Sequence, residues 1–310
     1  MIDIWSSTGL QIPRQMQRSD HIALPMEESQ FLKLSTDSTA PSLSSSSICA
    51  EMVHLSHIWA EIHDLNNAAV GGAIQAENLQ NTVKILSDKL NYWNASLQPH
   101  LTATRENLER YASIGLGSAL AALHLGFHYY NEVLFYQFLA ENTDQSSESS
   151  TVYRENCKVH ASRFCDLLYN CNTIPGCECS YIMVGHMLVV TSTVYIHTLM
   201  FSAVEDQIII ARERLERNFE ILTRLQSYWV KLDDSLSRLK SFHNACISSA
   251  ESSFFMDRWM LSFILEHGTK VYEKLQHNGV LPGIRPFVSN SKSPSPDLTL
   301  HAWYSLTFPL

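Results

Sequence analysis

The chain has 310 residues, 45% of them apolar and 17% charged, with a net charge of −9. That length supports a sizeable buried core, and the composition is that of a globular chain rather than a disordered or fibrous one. The acidic balance excludes the basic stripe that neutralising phosphates requires, and it is concentrated: residues 1–150 carry 7 Lys/Arg against 16 Asp/Glu, while 151–310 carry 15 of each.

In chain order, the first feature is a Ser-rich stretch, residues 35–47, that lacks core formers. Two more follow at 142–151 and 289–297, and all three read as mobile loops or linkers. Helical periodicity fills the intervals. Ala50–Asn66 places Val53, Ile58, Ile62 and Leu65 at helical spacing, and Ala73–Trp93 does the same with Leu79, Val83, Leu86, Leu90 and Trp93. Thr104–Leu139 reads as a long helical span in which Gly115 and Gly117 mark a kink or a close helix approach. Its second half, Leu120–Leu139, is an amphipathic helix with an apolar stripe at Leu120, Leu123, Phe127, Tyr130, Leu134 and Phe138. Helices are then expected over Tyr153–Tyr169, Tyr181–Phe201, Val204–Lys231 and Leu232–Gln276, the last broken near Asn244–Ser253. The expected fold class is all-α: a large multi-helix domain with Ser-rich disordered loops. It covers residues 1–280, with mobile loops at 35–49 and 142–152 and a C-terminal tail at 281–310.

One run pulls toward a membrane. Cys179 to Val204 is 26 residues without Asp, Glu, Lys or Arg, long enough to span a bilayer. Yet it contains His186, Thr191, Ser192, Thr193, His197 and Thr198, and acidic flanks set no orientation. A buried central helix of a helical domain fits it better; an apolar anchor at 181–201 is the alternative.

The motifs of common enzyme classes do not occur: there is no G-x-S-x-G elbow, Walker loop or His-Glu-x-x-His. Gly115-Leu116-Gly117 lacks the third glycine of a dinucleotide loop and lies in a helical pattern. His124 and His128, one turn apart, have the spacing of a two-imidazole metal pair, but no third ligand is identifiable. His54, His57 and His63 read as helix histidines. Seven cysteines are scattered (Cys49, Cys157, Cys165, Cys171, Cys177, Cys179 and Cys246) without the short pairs of a structural zinc site. Cys157 and Cys165 read as small core residues on a helix. The carboxylate pairs Glu27-Glu28 and Asp233-Asp234 read as helix-terminal charges, and Arg212, Arg214 and Arg217, interleaved with Glu213, Glu216 and Glu220, as a solvated helix face. No enzymatic activity, metal or cofactor is expected.

Several segments, taken in order, resemble the regulatory middle region of fungal binuclear zinc-cluster transcription factors. Ile2-Asp3-Ile4-Trp5-Ser6-Ser7-Thr8-Gly9 with Ile12-Pro13 is similar to a family helix that ends in a Gly/Pro turn. His21 to Phe31 resembles a Leu-Pro, acidic, then Phe segment. Tyr92 to Leu97 resembles a helix-Trp element, with Ser96 where Pro is usual. Leu123-His124-Leu125-Gly126-Phe127-His128 resembles the Leu-His, then Tyr-His helix, although Tyr136-Gln137 stands where that helix ends in Arg-Pro. Cys157 with Ala161, Tyr228-Trp229 and Trp259-Met260 are similar to later positions. The family's six-cysteine zinc cluster is not found in these 310 residues. The resemblance implies a nuclear transcription regulator, commonly of a metabolic or biosynthetic gene set. It implies protein partners, either the transcription machinery or a DNA-binding regulator, and no direct nucleic-acid binding by this chain. It leaves room for a small effector, for which His124, His128 and Tyr129 would supply polar contacts in a cavity between apolar helices; the other reading of these three is core packing.

Overall fold

The computed structural model of the protein describes residues 4, 14–15, 23–31, 33–34, 47–139, 148–229, 232–250 and 258–265. The expected loop residues 35–46 and 142–147 and the tail 281–310 lie outside them. All described residues belong to one compact unit, Met1–Tyr272. Among them there is no strand, and the protein is all-α.

The short helix α1 (Glu28–Phe31) is followed by α2 (Ile48–Val70). Expectation and structure differ at its start, because residues 47–49 are not loop. Ser47 is the N-cap, and its hydroxyl accepts from the Ala50 N–H at 2.9 Å. The Glu28 carboxylate accepts from the Ile48 and Cys49 N–H groups at 3.2 and 2.8 Å. A negative charge on the free N–H groups of a first turn is favourable, so Glu28 is a helix-terminal charge. Ile48 is then fully buried. Helix α3 (Ala76–Ser96) and a 3₁₀ turn at Pro99–Leu101 lead to α4 (Arg105–Ser113).

The long span expected over Thr104–Leu139 is two helices. Gly115 adopts φ +77°, a conformation that costs glycine little and other residues more. Its N–H bonds to the Ala112 carbonyl at 3.0 Å, and the Leu116 N–H bonds to the Tyr111 carbonyl at 2.8 Å. These paired bonds close α4 as a Schellman motif. The chain restarts as α5 (Gly117–Phe135), which tightens into a 3₁₀ turn at Tyr136–Phe138. Its apolar residues were expected on one stripe. In the fold Ala121, Leu125, Tyr129, Asn131, Glu132 and Val133 are buried as well. The reason is its place: α5 packs against α2, α3, α4 and α6, and meets α7 more lightly.

Helix α6 (Glu148–Cys171) begins inside the expected loop, so residues 148–152 are helical. Helix α7 (Ile182–Phe201) is the charge-poor run. Of its most apolar stretch 83% is buried, and burial is continuous from Val184 to Thr198. It is clasped by α8 (Glu205–Gln226) and α9 (Leu232–Ala250), with α6 alongside. Helix α9 ends within the expected break, and α10 (Arg258–Leu265) packs back on α2. The core is aromatic where α2, α3 and α5 meet: Trp59 stacks on Tyr130 at 4.7 Å, and Trp93 meets Phe127 at 5.4 Å.

Candidate functional site

The three residues singled out on α5 diverge. The His124 ring Nε2 lies 2.7 Å from the Leu101 carbonyl of the 3₁₀ turn, so that nitrogen donates. Burial lowers the His124 pKa, and this bond offsets part of the effect. His128, one turn on, faces α6, with its Nδ1 3.1 Å from Nδ1 of His160. Such a contact needs one ring nitrogen with a hydrogen and one without. A second proton would set two N–H groups against each other. Burial and the neighbouring imidazole accordingly hold His128 down to about 3, and burial with the Arg163 charge holds His160 to about 4. Tyr129 faces α7, and its hydroxyl lies 3.0 Å from His186 Nε2. The three side chains thus meet three different elements rather than one shared cavity. The i, i+4 histidines take different partners, and among the described residues no group of three His, Cys, Asp or Glu is placed to hold a metal ion.

A buried polar seam runs along α5 and α7. Below Tyr129–His186 comes Glu132, fully buried, whose Oε2 accepts from the Thr191 hydroxyl at 2.8 Å. Tyr136 follows, hydrogen-bonded to the Thr193 hydroxyl. Tyr129, Glu132 and Tyr136 stand at i, i+3 and i+7, one face of the helix. Burial pushes the Glu132 carboxyl up to about 8, since a single hydroxyl donor compensates little of the lost hydration. Glu132 Oε1 has no hydrogen-bond partner among the described residues.

A second node joins α6, α7 and α8 at Asn218, which is fully buried. Its Oδ1 accepts from the Tyr169 hydroxyl at 2.7 Å and the Cys165 thiol at 3.4 Å, and its Nδ2 donates to the Ser192 hydroxyl at 3.1 Å. These partners, with carbonyls of α7 itself, take up hydroxyls that a helix of spanning length buries inside a globular domain. The arginines of α8 were expected on a solvated face. Arg212 and Arg217 are exposed there, Arg217 lying over the Tyr169 ring at 4.0 Å, while the half-buried Arg214 reaches α6 and donates to the Ser162 carbonyl and to Asp166 at 3.1 and 2.8 Å. Of the cysteines, Cys157, Cys165, Cys171, Cys177 and Cys179 are buried free thiols and Cys49 is exposed. Burial raises the pKa of all six, which keeps them as thiols.

Sequence reasoning missed Glu132, His160 and Thr191 as partners. The available signal was a lone acid inside an apolar helix, one turn beyond His128. A shallow groove of about 310 Å³ lies elsewhere, between α4 and the loop after α6, lined by Arg105, Glu109, Ser113, Thr173 and Pro175 among others. No protein-family model, curated protein or solved structure matches the chain.

Proposed function

We propose that the chain is a transcription-regulator-type helical domain that acts in the nucleus through protein contacts, on a metabolic or biosynthetic gene set, without binding DNA directly. One observation carries the reading. Three segments that resemble the fungal regulatory region, far apart in sequence, pack together around α5. Trp93 of the Tyr92–Leu97 segment meets His124 and Phe127 at 6.4 and 5.4 Å. His160, between Cys157 and Ala161, meets Phe127 and His128 at 5.8 and 5.4 Å. Segments that form one core have a structural reason to occur as an ordered set. The net charge of −9 supports action through a partner rather than on phosphate.

An effector at His124, His128 and Tyr129 would have to replace three existing pairs, so protein contact is the simpler mode. The test is tagged full-length chain in the cells that make it. Crosslinked chromatin should carry it at discrete sites, while the purified chain should not bind naked DNA from those sites. Exclusion from nuclei would overturn the proposal. Recovery only in membranes that need detergent would favour an anchor at residues 181–201.

A further inference from the structure

Glu132 is a fully buried carboxyl with one hydroxyl donor. Its position is fixed from both sides: α5 is held by five helices, and α7 places Thr191 against one carboxylate oxygen. The second oxygen is buried with no donor among the described residues. An ionised carboxylate with one hydroxyl donor and no cation in contact is poorly tolerated; a neutral carboxylic acid is tolerated well.

The surroundings offer no positive charge to rescue the anion. Tyr129 shares its helix, and His186 stands beside Tyr129 on α7. From α6 comes the Cys157 thiol, itself near Lys158 and Glu155. Arg238 of α9 acts on Tyr129 rather than on the carboxyl. Helix α2 presents Asn66, which donates to the Val133 carbonyl, and α3 presents Trp93; neither titrates. Helix α4 packs on α5 with the Ala112 backbone close to Gly117, at the far end of the helix from Glu132.

We propose that Glu132 is a proton-operated latch of the α5–α7 contact: the protonated carboxyl keeps the seam closed, and loss of the proton loosens it. The sign follows from the two states. In the closed seam the carboxyl is pushed up to about 8; in an opened seam it reverts to an ordinary carboxylate value near 4.5. Opening therefore releases one proton between these limits. The open fraction should rise about tenfold per pH unit until about 8, then level off, because the closed form has lost the proton as well.

Native-state hydrogen exchange of the whole chain tests this, followed at the α5 and α7 amides from pH 6.5 to 9 and corrected for the intrinsic exchange rate. Wild type should show the rise and the plateau, and Glu132→Gln should show neither. Parallel profiles for the two proteins would overturn the proposal. Should Glu132→Gln not fold, Thr191→Val decides. It removes the hydroxyl that favours the anion, so the plateau must move to higher pH; an unmoved plateau would overturn the latch equally.

Discussion

Gly117 and Gly126 stand nine residues apart on one helix and face opposite circumstances. A Cβ at Gly117 would lie 2.6 Å from the Gly176 carbonyl oxygen and 2.9 Å from the Ala112 Cα, both backbone atoms that cannot turn aside. A Cβ at Gly126 would meet the Tyr130 ring at 3.7 Å, an ordinary contact. Gly117→Ala should destabilise the fold by about 1–3 kcal/mol through forced backbone movement. Gly126→Ala should stabilise it by roughly 0.5–1 kcal/mol through helix propensity. Urea unfolding of the pair checks both, and equal signs would contradict the packing described. Asn218 gives a third case. Asn218→Ala removes the amide that joins the Tyr169 and Ser192 hydroxyls, while each keeps a carbonyl acceptor (Arg214 and Leu188), and should cost about 1–3 kcal/mol in the same measurement. At this scale the sequence was informative about residues and silent about pairs. His124, His128 and Tyr129 stood out on α5. Their partners Leu101, His160 and His186 lie 23, 32 and 57 positions away. No periodicity within a helix encodes contacts at those separations.

Among the elements, α7 carries the clearest lesson. Its composition passes for a membrane span, and its buried hydroxyls are taken up by carbonyls one turn back on α7 itself together with partners from α5 and α8. The helices themselves were legible, because apolar spacing reports which residues face a neighbour. Their boundaries were less so. The first turn of α2 is completed by Glu28, which comes from another element, and the Gly115 break depends on a backbone angle. The one-sided stripe expected for α5 was also incomplete, since a helix with neighbours all round buries its polar residues too. The α5–α6 histidine pair makes an element-scale prediction. Both imidazoles are held well below their ordinary 6.5, His128 at about 3 and His160 at about 4. Their contribution to stability is complete above about 6.5 and is lost as pH falls toward 4 and then 3. Replacing both by leucine should flatten the pH dependence of thermal unfolding between pH 6.5 and 4. An unchanged acid slope would place the acid-sensitive group elsewhere.

For the whole molecule the buried histidines and Glu132 oppose each other. The histidine pair favours the folded state as pH rises to about 6.5, and Glu132 disfavours it from about 4.5 through 8. Below 6.5 the imidazoles outweigh one carboxyl, because His197 is held to about 3 and His124 is lowered as well, and above 6.5 the carboxyl acts. The unfolding temperature should therefore peak near pH 6.5 and fall on both sides, the alkaline limb lost in Glu132→Gln and the acid limb reduced but not abolished when His128 and His160 are replaced. A profile rising steadily to pH 9 would deny the role given to Glu132.

The packing of α10 on α2 has a consequence for how the chain is made. Roughly 190 residues separate the end of α2 from the start of α10, so this contact closes only after nearly all the others have had time to form. During synthesis α2 leaves the ribosome well before α10 and waits for that neighbour until residues 258–265 follow. The surface around it is open to chaperones and proteases until then. A chain stalled before residue 258 would keep that surface exposed to the same factors.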